Sequence, residues 1–176
     1  MKLYLTFVEG PAGAGKTTYL ARQLVDGELD LVALNNKRRS KKRKKTGLDA
    51  FLDHIIKLAE VAEFLQKLFQ YENPEVVRVG VDRSLLSQIV YGGIRGDQTS
   101  SQKLFQFFSS LNSLVYGNLE ISIDFTFIIP RLETLKLRRS SSGKEYPYDP
   151  DEEIRRFELL ASELKQLGFE VRILKE

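Results

Sequence analysis

Apolar and polar positions follow two rhythms along this chain. Leu3 to Val8 is a run of β-favouring residues that gives way to a glycine-rich turn, which predicts a buried strand. Lys16 to Val25 then carries Leu20, Ala21, Leu24 and Val25 at helical spacing, and Leu29 to Leu34 reads as a short second strand. From Leu48 to Tyr71 the apolar positions Leu48, Phe51, Leu52, Ile55, Ala59, Ala62, Leu65 and Phe69 keep a period of about 3.6 residues, a long amphipathic helix that Asn73-Pro74 stops. Val76 to Val81 predicts a strand and Arg83 to Tyr91 a short helix. A loop holding Gly92, Gly93 and Gly96 leads to a helix over about Ser100–Val115. Ile121 to Ile129 is strongly strand-like, and Pro130 ends it.

Arg131 to Arg139 is expected to be helical, and residues 140–150 to form a loop. Asp149 can cap a last helix, with Pro150 at its first position and Glu152 completing a capping box. That helix would bury Ile154, Phe157, Leu160, Leu164 and Leu167 and end at Gly168, with Phe169 to Leu174 as a closing strand. There is no internal repeat and no long linker. Strands separated by helices predict one α/β domain over residues 1–176, built on a mainly parallel sheet covered on both faces.

Composition narrows the chemistry. The 176 residues suffice for a core of their own, and the absence of cysteine excludes a disulfide scaffold, a thiolate nucleophile and cysteine zinc sites. The single histidine, His54, excludes a multi-histidine metal cluster and argues against a Ser-His triad. No apolar stretch reaches the roughly 18 residues of a membrane span, and the N-terminal apolar run breaks at Glu9 with no small-residue cleavage site after it. The expectation is a soluble protein of the cytoplasm (host-cell cytoplasm or nucleus for a viral chain) with no membrane partner. The net charge of +3 is uneven, because eight of the nine residues 37–45 are Lys or Arg and the remainder carries 19 basic against 24 acidic residues.

The most specific motif is EGPAGAGKTT, residues 9–18. Gly10 and Gly15-Lys16-Thr17 satisfy G-x-x-x-x-G-K-[ST] between a predicted strand and a predicted helix. Glycines let the backbone of Gly10, Pro11, Ala12, Gly13, Ala14 and Gly15 curl, so that N–H groups point into one concavity at a helix N-terminus. Lys16 would reach the β- and γ-phosphate oxygens, Thr17 would offer its hydroxyl to Mg²⁺, and Thr18 completes the cradle. ATP and Mg²⁺ are thus the expected cofactors. The motif leaves open whether the protein is a kinase, an ATPase or a switch.

Asp82 falls at the carboxyl end of a predicted strand, where open α/β sheets build their ligand sites. It can hold Mg²⁺ through water or accept a proton from an attacking hydroxyl. Arg83 beside it can neutralise phosphate or orient an acceptor, and Arg95, on the glycine-rich stretch, is a second candidate for grasping an anion.

These stretches together resemble thymidylate kinases and the related deoxynucleoside kinases. FVEGPAGAGKTTYL is similar to the thymidylate kinase opening. Asp82-Arg83-Ser84, followed by Ser87 and the segment Tyr91–Gly96, is similar to that family's Asp-Arg-aromatic segment and its Tyr-Gln-Gly…Arg-Gly loop, while Ser84 leans toward the deoxynucleoside kinases. Residues 130–145 resemble the helix and mobile lid that bring arginines over the phosphates. The resemblance implies a P-loop three-layer sandwich of about five parallel strands, MgATP as donor, and a nucleoside or nucleotide as acceptor. It implies acceptor contacts for Arg83, Tyr91 and Arg95, and a lid over residues 136–148 from which Arg138 or Arg139 acts. Related kinases are often dimers through their long helices, so a homodimer is an expected state. Lys136 stands where the family usually has arginine, which leaves the choice between Arg138 and Arg139 open.

Two departures bear on the acceptor. Ala12 stands where thymidylate kinases have a carboxylate against the sugar 3′-hydroxyl, which removes a barrier to a 3′-esterified acceptor. After the second strand, Asn35-Asn36 runs straight into the basic segment where the family has a Glu-Pro element, leaving Asp82 as the only convincing base and Glu9 as a weaker candidate that better fits a structural role at the strand end. The basic run 37–45 reads as a solvated loop or localisation signal, as a cationic sleeve for a monophosphate, or as a contact to a nucleic-acid backbone. Three functions remain: a kinase on a deoxynucleotide or deoxynucleoside, a kinase on a (modified) base or sugar hydroxyl within DNA such as a phage 5-hydroxymethyluracil DNA kinase, and a P-loop ATPase module that docks on nucleic acid. An acceptor base would stack on an aromatic residue within 51–71 or 105–108.

Overall fold

A computed structural model describes residues 2–33, 63, 65, 75–96, 101–112, 115–116 and 119–175. Five parallel strands lie in the order β2 (Leu31–Ala33), β3 (Val76–Asp82), β1 (Lys2–Glu9), β5 (Leu119–Ile129) and β6 (Glu170–Lys175). A two-residue strand, β4 (Val115–Tyr116), pairs antiparallel with the start of β5. The helices are α1 (Lys16–Val25), α2 (Ser87–Arg95), α3 (Ser101–Asn112), α4 (Leu132–Ser141) and α5 (Pro150–Gln166).

The apolar run of β1 divides between the two faces because successive side chains of a strand point opposite ways. Leu3, Leu5 and Phe7 join a large cluster with Val90 of α2, Phe108 of α3, and Phe157, Leu160, Ala161 and Leu164 of α5. Val8 joins a smaller cluster with Ile128 and with Leu20 of α1. Helices therefore cover both faces, as the alternation of elements requires. Gly80 in β3 permits the close approach of α1, since a Cβ there would collide with Leu20 and Leu29.

Several boundaries differ from the sequence expectation. The second strand is Leu31–Ala33, shorter than Leu29–Leu34. The expected helix from Arg83 begins only at Ser87, because Arg83 has φ 67, which is incompatible with a right-handed helix. Gly92 and Gly93, expected in a loop, lie inside α2, and the side chain of Arg156 occupies the space that a Cβ on Gly93 would need. The helix expected to reach Val115 stops at Asn112, and Val115 pairs in the sheet instead. Ser140 and Ser141, expected in the loop, belong to α4.

In α5, Asp149 caps Asp151 N–H as expected, but the Glu152 carboxylate turns to Arg155 and Arg156, so the reciprocal half of the capping box is not made. Leu167 is 51% exposed rather than buried, and Ile154 is half-buried. The basic run 37–45, Asn35-Asn36 and most of the expected helix 48–71 lie outside the described residues. Within that stretch residues 63 and 65 are helical, and Leu65 packs in the large cluster.

Candidate active site

The loop from Gly10 to Gly15 joins the buried end of β1 to the first turn of α1. Gly10 has φ 138, and a Cβ there would strike the Ile128 carbonyl of the neighbouring strand, so only glycine fits. Gly15, at φ 97, caps α1 in the left-handed conformation and turns the chain into the helix. The first-turn N–H groups of Lys16, Thr17 and Thr18 have no intrahelical carbonyl to bond, which makes this helix end an anion site. Lys16 is 6% exposed and its ammonium donates to Gly10 O at 2.9 Å and Pro11 O at 2.6 Å. Burial, reinforced by Arg83, holds the Lys16 ammonium well below the ordinary lysine range, while Asp82, Glu9 and Glu153 pull the other way.

Asp82 is the last residue of β3, and its Oδ2 accepts a 2.7 Å hydrogen bond from Thr17 Oγ1. The two residues singled out as metal ligands, 65 positions apart in sequence, are thus brought together. Both offer oxygen, the donor that magnesium prefers, and magnesium needs only one or two protein ligands beside phosphate and water. Thr17 and Asp82 fit that ion. Among the described residues there is no cluster of three or more His, Cys, Asp or Glu for another kind of metal site.

Beyond Asp82 the chain turns sharply. Arg83 takes a left-handed conformation, its N–H donating to Val8 O at 2.9 Å. The turn is fixed from below by Glu9, which is fully buried and accepts from Ser84 N–H and Ser84 Oγ at 2.6 Å each and from Ser87 Oγ at 2.7 Å. Glu9 is therefore a structural anchor, as expected of it. Arg83 Nη1 donates to the Tyr91 hydroxyl at 3.0 Å, and the guanidinium lies 5.1 Å from the Tyr91 ring centre. Burial pushes the Tyr91 hydroxyl up to about 12 against the pull of Arg83, so the phenol keeps its proton.

The two arginines of the expected lid behave differently. Arg138 is half-buried and donates from Nη1 to Ala14 O at 2.9 Å, beside Gly15. Arg139 is 8% exposed and donates to Ala12 O at 2.9 Å, Tyr148 O at 3.2 Å and Glu153 Oε1 at 2.8 Å. Arg95, at the end of α2, is exposed and reaches the hydroxyl of Tyr148, the ring beside Tyr91, at 3.4 Å. Of the aromatics expected to stack a base, Phe108 is in the core and Phe107 is 39% exposed.

Glu153 is the group that the sequence reading missed. It is 1% exposed, and its Oε2 accepts from Ala12 N–H at 3.0 Å and from the Tyr91 hydroxyl at 3.1 Å. A signal was present: Glu153 sits four residues before buried Phe157, on the apolar face of α5. In a first turn rich in Asp and Glu it passes for a helix-dipole residue.

Neither a family model nor a curated protein matches the chain in sequence. Solved structures match it in shape. A deoxyadenosine kinase from M. mycoides, with the products dCMP and a flexible dCDP bound, superposes with a TM-score of 0.53 at 16% identity, covering 99% of this chain and 90% of that one. The YorR protein of Bacillus subtilis in complex with phosphorylated GDP gives 0.57 at 15% identity, over 97% and 85% of the two chains. The fold is shared with that deoxyadenosine kinase and with YorR. The expected α/β class is borne out, and at these identities the likeness speaks to fold alone. No helix among the described residues is long and apolar enough to cross a membrane.

Proposed function

We propose that this chain transfers the γ-phosphoryl group of ATP to a deoxynucleotide or deoxynucleoside, thymidylate-type acceptors first. The observation that carries the reading is the 2.7 Å contact of Thr17 with Asp82, which joins the loop's hydroxyl to the strand-end carboxylate beside Lys16 and Arg83. Phosphoryl transfer needs positioning and positive charge over the phosphate oxygens more than covalent chemistry. The loop amides and Lys16 hold the β- and γ-phosphates, and Thr17 and Asp82 hold magnesium, which neutralises charge on the phosphate oxygens. For a hydroxyl acceptor, Asp82 is alternatively the base that takes its proton, and Arg83 orients that acceptor. Arg138 is the lid cation for the transferring group, because it is the more exposed of the two arginines and its Nη1, on Ala14 O, lies beside Gly15 at the start of α1. Fold neighbours that carry deoxynucleotides support this class of ligand.

A second reading, transfer to a hydroxyl within DNA, draws on Ala12 and on the basic run 37–45. A carboxylate does stand at Ala12, that of Glu153, but it is buried and holds three protein donors, so it is not offered to a sugar 3′-oxygen. The deciding experiment follows γ-labelled phosphate from ATP at two salt concentrations onto thymidine, dTMP, other deoxynucleotides, and DNA with and without a hydroxylated thymine. Label on dTMP or thymidine with little salt dependence is the expected result. Label on DNA alone, collapsing as salt rises, selects the second reading. DNA-stimulated hydrolysis with no labelled acceptor overturns both in favour of an ATPase module.

A further inference from the structure

Residue Ala12 is held at both ends of its backbone by two side chains that are bonded to each other. Its N–H donates to Glu153 Oε2 at 3.0 Å, and its carbonyl accepts from Arg139 Nε at 2.9 Å. Arg139 Nη2 meets Glu153 Oε1 at 2.8 Å, which closes the ring. Both side chains are more than nine-tenths buried, at 8% and 1% exposed, so water competes little for these bonds. The three partners come from the phosphate loop, α4 and the first turn of α5.

Glu153 carries a third connection. Its Oε2 also receives the Tyr91 hydroxyl at 3.1 Å, and that hydroxyl in turn accepts from Arg83 Nη1 at 3.0 Å. The direction of this chain is fixed by chemistry. A guanidinium has no lone pair to offer, so the single phenolic proton must go to the carboxylate. The phenol retains that proton because burial raises it to about 12. Tyr91 is held further by ring contacts to Tyr148 at 5.4 Å and Phe157 at 5.8 Å, so its hydroxyl has one well-defined position.

We infer that Glu153 is a positioning residue, the joint that fixes the first half of the phosphate loop, the lid helix α4 and, through Tyr91, the acceptor arginine Arg83 in one arrangement. Loss of the joint releases the Tyr91 hydroxyl, so that Arg83 is bonded to a partner of less fixed position, and loosens Arg139 from the loop, while Lys16, Thr17 and Asp82 keep their own contacts. The kinetic part of this inference rests on the proposed phosphoryl transfer; the structural part does not.

The test uses Glu153→Asp, which keeps a charge for Arg139 but is one methylene too short to reach all three donors, together with Tyr91→Phe and the double variant. The first readout is tryptic cleavage after Arg139 in the otherwise folded protein, which needs no activity. Glu153→Asp is expected to accelerate that cleavage about tenfold or more, the size of effect that follows from weakening charge-assisted bonds. Unchanged cleavage overturns the joint whatever reaction the protein catalyses. The second readout is steady-state transfer with the acceptor that the wild type uses. The acceptor KM should rise about tenfold in Glu153→Asp and in Tyr91→Phe, no further in the double variant, with the KM for ATP changed by less than about twofold. A lower melting temperature with both KM values at wild-type level shows a merely structural glutamate and overturns the kinetic part. If Glu153→Asp does not fold, Tyr91→Phe decides. It spares the Ala12 and Arg139 bonds, so a raised acceptor KM supports the link to Arg83 and an unchanged one overturns it. A wild type that labels no acceptor refutes the kinase reading, and the proteolysis still judges the joint.

Discussion

The two halves of the phosphate loop are secured by different means. The second half, Ala14 to Thr18, flows into α1. Its chemistry comes from the neighbours Lys16, on the carbonyls of Gly10 and Pro11, and Thr17, on Asp82, and a single arginine, Arg138, reaches its backbone at Ala14 O. The first half, Gly10 to Gly13, has no helix of its own and is gripped at Ala12 by Arg139 and Glu153 from the far end of the chain. On the proposed function the second half presents groups to a ligand, and its Lys16 ammonium is buried at a cost in desolvation. The first half spends its polar groups on the protein itself. Function and stability should therefore separate along nine residues of backbone.

The sharpest attempt to break this contrast is Arg139→Leu. It leaves the Glu153 carboxylate buried without its cation and should cost about 3–5 kcal/mol in urea denaturation. Stability within about 1 kcal/mol of wild type would show that Arg139 belongs with the ligand-facing half. Lys16→Ala is the mirror image. Transfer should fall about 100- to 1,000-fold in single-turnover assays, the usual size for removing a preorganised charge from a transition state. Its melting temperature should move far less than that of Arg139→Leu.

Glu9→Gln tests whether the turn after β3 obeys the same division. The buried carboxylate accepts three hydrogen bonds from Ser84 and Ser87, so the change should cost about 1–3 kcal/mol by thermal unfolding. Arg83→Gly relieves a backbone penalty of about 1–2 kcal/mol at φ 67 but loses the bond to Tyr91, worth about 1 kcal/mol, so stability should hardly change while transfer to the acceptor drops. A fall in both quantities would make Arg83 a structural residue.

The smallest effect is in pH. The free protein binds the Lys16 proton less tightly than an ordinary lysine, and an arriving phosphate strengthens that binding. ATP binding should therefore take up protons, and affinity should fall as pH rises from the lowered value toward the ordinary lysine value. Titration calorimetry in two buffers of different ionisation enthalpy measures the uptake, which should vanish in Lys16→Ala.

Much of the ligand-facing half was legible from sequence because its residues are local. Gly10, Gly15, Lys16 and Thr17 lie within eight positions, and their spacing alone reports a strand, a turn and a helix start. Asp82 and Arg83 were legible as a charged pair ending an apolar strand, although the left-handed turn at Arg83, which delays α2 to Ser87, was not. The division of labour between Arg138 and Arg139 was hidden, since neighbouring arginines on a helix differ only in the face they present. That face is chosen by packing against Ala14 or against Ala12 and Glu153.

Periodicity, glycine placement and proline stops determined the α/β class, the parallel sheet and the strand–glycine turn–helix shape of the loop, because each depends on backbone sterics and on alternation within a few residues. Tertiary structure alone decided that Glu9 anchors the turn after β3 and that Glu153, not a loop residue, holds Ala12. The reason is physical. A buried carboxylate is tolerated only where donors converge on it, and donors 75 and 141 positions away in sequence converge only once the chain has folded.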